Sequence, residues 1–147
     1  IKDATAAAQK WQSDAVLTHI ATAMGFADGT ADHWLYTFYS PKAKKSAIVT
    51  ARAKKVEIEP DVRNSSIDPV GSDFIDSDKT AEAAVKGGLK LAKGSKEVLY
   101  GMTVGNQAVG KPQLFWTVTT MSADRATGVV LNGKDGAFIR RDELKFK

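Results

Sequence analysis

The chain contains no cysteine. Disulfides, thiolate nucleophiles, iron–sulfur clusters and cysteine-based zinc sites are therefore excluded. Histidine is almost as scarce, with only His19 and His33. Neither belongs to a His-x-x-x-His or Glu-x-x-His spacing, so both are read as structural, and a metal site would need ligands converging from distant parts of the chain. There is no Gly-x-Ser-x-Gly elbow of the kind that presents a hydrolase nucleophile. The glycine-bearing run from Gly101 to Gly110 lacks Gly-Lys-Ser/Thr and opens no helix, so it is not a phosphate loop. No apolar run approaches the roughly 20 residues that a membrane-spanning helix needs. These absences predict a protein that requires no metal or cofactor and has no membrane span.

What remains is an ordinary globular composition. The chain has 147 residues, of which 43% are hydrophobic and 26% charged. That supports a real core and argues against disorder. The net charge of +4 is mild, far from the dense basic stripe of a dedicated nucleic-acid binder. The sequence begins at Ile1, and the expectation is that a leader was removed or the chain trimmed.

The chain is organised around Gln113 to Asn132, which reads as a strand, a turn carrying Asp124, and a second strand. A similar stretch runs from His33 to Arg52. Trp34, Tyr36 and Phe38 alternate with Leu35, Thr37 and Tyr39, the period-two pattern of a strand. Further strands are expected over Lys54 to Glu59, ended by Pro60, over Glu97 to Val104, and over Ala137 to Arg141. A helix is predicted from Thr5 to Met24 because this segment is alanine-rich and free of internal Gly and Pro. A second helix is predicted from Ser77 or Asp78 to Lys93, with Ala81, Ala84, Val85, Gly88, Leu89 and Ala92 inward. Gly105 to Pro112 and Asn132 to Gly136 read as hairpin connections.

The halves share one order, helix and then a strand meander. At a spacing of 80 residues Trp34 falls on Leu114, Tyr36 on Trp116 and Phe38 on Val118, and Val49 and Ala51 fall on Val129 and Leu131. This predicts an internal duplication, with a first unit over 1–60, a connector over 61–76 and a second unit over 77–147.

Trp116-Thr-Val-Thr followed by Asp124-x-x-Thr127-Gly128-Val-Val-Leu resembles the C-terminal hairpin of PepSY-type domains. The resemblance covers about Asp76 to Arg141 and reaches the first half only through the repeat, where Ser46-Ala47-Ile48 replaces the Thr-Gly pair. It implies α+β architecture, as two tandem cystatin-like units of one helix on an antiparallel sheet. It also implies an extracytoplasmic bacterial protein, periplasmic or secreted, and a non-catalytic role of the kind associated with protease inhibition.

Three groups of residues carry functional readings. Leu35, Tyr39, Phe115 and Met121 lie on the strand faces opposite the aromatic stripe, where an apolar surface would contact a protein partner or a second copy of the chain. Lys42, Lys44 and Lys45, with Arg52, Lys54 and Lys55, form a basic cluster that suits an acidic partner surface or blunts a sheet edge. Asp73, Asp76, Asp78 and Glu82 are read as acids at a helix start rather than a calcium loop, because the positions of the loop glycine and glutamate hold Asp78 and Ala84. The stripe of Trp34, Tyr36 and Phe38 with Leu114, Trp116 and Val118 is read as core. The other reading is a groove between helix and sheet in a small-ligand binder or enzyme. Asn64-Ser65-Ser66 is a glycosylation sequon in a eukaryotic secretory setting.

Overall fold

The computed structural model of the chain describes residues 1–64, 66–105 and 111–147. Helix α1 (Lys2–Trp11) precedes strands β1 (Val16–Gly25), β2 (His33–Ser40), β3 (Lys45–Arg52) and β4 (Lys55–Val62). Helix α2 (Ser77–Lys86) precedes β5 (Val98–Gly105), β6 (Gln113–Met121), β7 (Arg125–Asn132) and β8 (Phe138–Lys145). The strands form a single eight-stranded sheet in the order β4-β3-β2-β1-β5-β6-β7-β8, antiparallel at every junction. The fold is α+β, with two helices on one sheet among the described residues.

The register explains the core. One row crosses all eight strands: Ile58, Val49, Tyr36, Ile20, Met102, Trp116, Leu131 and Phe138. Every member is apolar or aromatic. The six inner ones are buried, and Ile58 and Phe138 at the two edges are exposed. Helix α1 packs over β3 and β4, and α2 over β6 and β7. Both helices bury small side chains, Ala4 and Ala8 on α1 and Thr80, Ala81 and Ala84 on α2. Positions four apart share a helix face, and small residues there let the backbone approach the sheet closely.

Several expectations need correction. The predicted helix Thr5–Met24 is helix only to Trp11, and Val16–Gly25 is a strand at the centre of the sheet. Val16, Thr18, Ile20 and Thr22 are β-branched at every second position, and pairing with both β2 and β5 overrides the alanine content. The second helix ends at Lys86, seven residues before Lys93, because Gly87 and Gly88 follow, with Gly88 at φ +93. Val85, expected inward, is exposed. The helix is capped one residue earlier than predicted: Asp76 accepts a hydrogen bond from the Ser77 amide at 2.8 Å.

Pro60 does not end β4, which runs to Val62. It is tolerated there because β4 is an edge strand. β8 likewise extends to Lys145, four residues past the expected end. The 80-residue spacing holds between Tyr36 and Trp116, which share the core row, but not between β3 and β7. Val49 faces Tyr36 and Leu131 faces Trp116, a spacing of 82. The reason is that β6 runs one residue further past the core row before its turn closes at Met121↔Ala126, against Ser40↔Lys45 in the first hairpin. The inner part of the predicted Gly105–Pro112 loop, residues 106–110, lies outside the described residues, as does Ser65 of the sequon.

Candidate functional site: an open sheet face, a basic hollow and an aromatic cavity

Strand alternation turns Leu35, Tyr39, Phe115 and Met121 to the face opposite the helices, as the sequence predicts. The row next to the core row crosses this face as Glu57, Thr50, Leu35, Ala21, Gly101, Thr117, Val130 and Arg140. Charge sits at its two ends, and the six inner positions are small or apolar. Among the described residues neither helix packs on this side, since α1 contacts β3 and β4, and α2 contacts β6 and β7, through residues of the core cluster.

The four predicted contact residues differ in availability. Leu35 and Tyr39 are half-buried by their neighbours, and Met121 is 60% exposed. Phe115 is not a free surface residue: it is only 8% exposed. Its ring lies over Gly105, where an added Cβ would stand 3.1 Å from it. A glycine on the adjacent strand thus leaves a slot that the ring fills.

His19, assigned to a helix by sequence, faces the same side from β1, paired with Thr37. Burial among these neutral neighbours holds its pKa below the ordinary 6.5. No sequence pattern marked it, because only the β1 assignment places it there.

The basic cluster divides. Lys42 and Lys44 lie in the β2–β3 turn and Lys45 begins β3, whereas Arg52, Lys54 and Lys55 lie at the far end of that strand. Eight residues of strand separate the two groups by about 25 Å. Of the first group, Lys44 and Lys45 are brought together with Tyr39, and Lys42 is not. Tyr39, Lys44, Lys45, Asp61, Val62 and Arg63 line an open hollow of about 580 Å³. Lys45 pairs with Asp61 at 3.6 Å. Among the described residues Lys44 and Arg63 have no ion pair. The turn is held by Asp14, whose carboxylate accepts from Ser40 Oγ at 2.7 Å and the Lys42 amide at 2.9 Å. Those hydrogen bonds, the amide first, lower the Asp14 pKa.

The helix side contains a second candidate. Between the two helices, over the centre of the sheet, a cavity of about 210 Å³ is lined by Ile1, Ile20, Trp34, Tyr36, Phe74, Asp76, Ser77 and Trp116. Trp34, Tyr36 and Trp116 come from the predicted stripe. Phe38 and Val118 of that stripe are fully buried core. Phe74 and Asp76 arrive from the connector, which is tied down by Trp116 Nε1 donating to the Ile75 carbonyl at 3.1 Å and the Ile75 amide donating to Gly133 at 2.9 Å. Their role was illegible in the sequence, because nothing local marks where a connector returns to the sheet. Burial, and then the Asp76 charge, raise the Tyr36 pKa.

Asp73, Asp76, Asp78 and Glu82 are not assembled into a metal site, and no cluster of three or more His, Cys, Asp or Glu occurs among the described residues. Asp78 accepts from the Lys79 amide at 2.7 Å, and Glu82 pairs with Lys79 at 3.4 Å. No helix of the described residues is long and apolar enough to cross a membrane. No protein-family model, curated protein or solved structure matches the chain.

Proposed function

We propose that this chain is a non-catalytic, extracytoplasmic binding module of PepSY-like character that engages a protein partner through the open face of its sheet. The observation that carries the reading is the Leu35–Ala21–Gly101–Thr117 stretch, a half-buried neutral surface spanning four strands with no helix over it among the described residues, bounded on β7 by the buried Val130. Surfaces of small and apolar residues bounded by charge suit protein contact, because desolvating them is cheap. The hollow with Tyr39, Lys44, Lys45 and Arg63 lies at one end of this face, and its cations, with Lys42 beside it, steer an acidic region of the partner.

Two tandem cystatin-like units form the architecture of this reading. It is supported by the repeated order of one helix and four strands, and by a strand order that runs outward from the β1–β5 junction in both directions. A protease-inhibitor-like role is the form of binding that the PepSY resemblance implies.

Immobilised protein tests the reading against extracellular and periplasmic extracts. A protein retained by the native chain should be lost on Thr117→Arg in the open face and kept on Val85→Arg on the outer side of α2. Equal retention by both variants would refute the assignment to the open face.

A further inference from the structure

We infer that the outer edge of β8 docks β8 of a second copy of this chain, giving a two-fold dimer with one continuous sheet. This edge site is separate from the open face and does not depend on it. Among the described residues the sheet has two free edges, β4 and β8, and they are finished differently. β4 carries Pro60, which has no amide to donate, and Asp61 at φ 60, which departs from extended backbone. It also carries three acids, Glu57, Glu59 and Asp61. Such features keep another strand from adding to an edge. β8 has no proline, and every residue from Arg140 to Lys145 is exposed.

Hydrogen bonding to β7 decides which groups of β8 face outward. The Phe146 amide donates to the Asp124 carbonyl at 2.8 Å. Bonded and non-bonded pairs alternate along an antiparallel ladder. Leu144, Asp142 and Arg140 therefore bond to β7, and Arg141, Glu143 and Lys145 turn their N–H and C=O groups outward. In a two-fold pairing of β8 with itself, opposed residues share a face only when the axis passes through a residue. Through Asp142, the axis sets Arg141 against Glu143 of the second copy, and Glu143 against Arg141, as two hydrogen-bonded pairs of opposite charge. An axis through Arg141 would oppose two guanidinium groups and run Glu143 against the irregularity at Ile139. Glu143 keeps its ion pair with Arg125 at 3.7 Å. Arg141 turns away from the end of α2, where an added Cβ at Gly88 would stand 3.7 Å from its Nη1. The two Asp142 carboxylates meet on the other face, each already neutralised by Arg140 at 3.0 Å. Leu144, 64% exposed, comes to lie under the Arg140 stem of the second copy.

Sedimentation velocity between about 5 and about 500 µM tests the pairing. The contact is small, so the native chain should form a reversible dimer with a Kd on the order of 100 µM. Arg141→Glu sets Glu against Glu, and Glu143→Arg sets Arg against Arg. Each variant alone should dimerise at least about tenfold more weakly, because the two-fold axis doubles every charge change. Mixed in equal amounts, the two variants are complementary at both positions and should form a heterodimer about as tight as the native dimer. Glu57→Arg, on the other edge, should leave the equilibrium unchanged. The inference is overturned if the native chain stays monomeric at about 500 µM, if either β8 variant alone dimerises like the native chain, if the mixture stays monomeric, or if Glu57→Arg weakens the dimer as much as the β8 variants do.

Discussion

The two faces of the central sheet are built from the same strands and differ in almost everything else. On the helix side Tyr36, Ile20, Met102, Trp116 and Leu131 succeed one another across five strands, all buried. One residue along each of β2, β1, β5, β6 and β7 the opposite side reads Leu35, Ala21, Gly101, Thr117 and Val130. Large side chains hold one face to the helices, and smaller neutral ones fill the centre of the other. A face that needed only solubility would carry Lys, Glu and Thr along its whole row. In this row charge is confined to Glu57 and Arg140 at the sheet edges, and that pattern supports the proposed binding role.

The largest way to break the comparison is to remove the core row. Trp116→Ala deletes a buried ring and its bond to Ile75 and should cost about 3–5 kcal/mol, measured by denaturant unfolding. Phe115→Ala, on the other face, should still cost about 3 kcal/mol, at the low end of the same range, because the ring fills the slot over Gly105. Met121→Ala, 60% exposed on the same strand face, should cost less than about 0.5 kcal/mol. Together these sharpen the contrast, since they separate open-face residues that stabilise the fold from those free to meet a partner.

Much of this contrast was legible in the sequence. Alternation in His33–Tyr39 and Gln113–Met121 placed β2 and β6 and assigned every side chain in them to a face. The legible part ended where tertiary context decides. Val16–Gly25 is rich in Ala and carries no breaker, so local propensity favoured helix. Only its position between β2 and β5 makes it a strand, although the β-branched residues at 16, 18, 20 and 22 were a usable sign. Phe115 was misplaced for a related reason. Alternation fixes its face correctly, but its burial depends on Gly105 of a neighbouring strand. The cavity was half legible, since Trp34, Tyr36 and Trp116 formed a visible stripe while Phe74 and Asp76 belong to an irregular connector.

A smaller effect distinguishes the faces by pH. His19 is the open-face group whose pKa burial lowers from 6.5. In the unfolded chain it takes up its proton first as pH falls. Its contribution to stability is therefore complete above about pH 6.5 and is lost as pH falls through its lower folded value. Thermal melts across pH 4.5–7.5 should show a decline that His19→Gln flattens, and a slope unchanged by that substitution would argue against the desolvated position.

The central claim rests on two neighbouring residues of β6 that point to opposite faces. The decisive measurement compares Trp116→Ala and Thr117→Arg, each by melting temperature and by retention of the same partner. The account predicts that Trp116→Ala lowers the melting temperature strongly, while Thr117→Arg leaves the fold intact and abolishes retention. A stable Thr117→Arg protein that retains the partner as well as the native chain would contradict it.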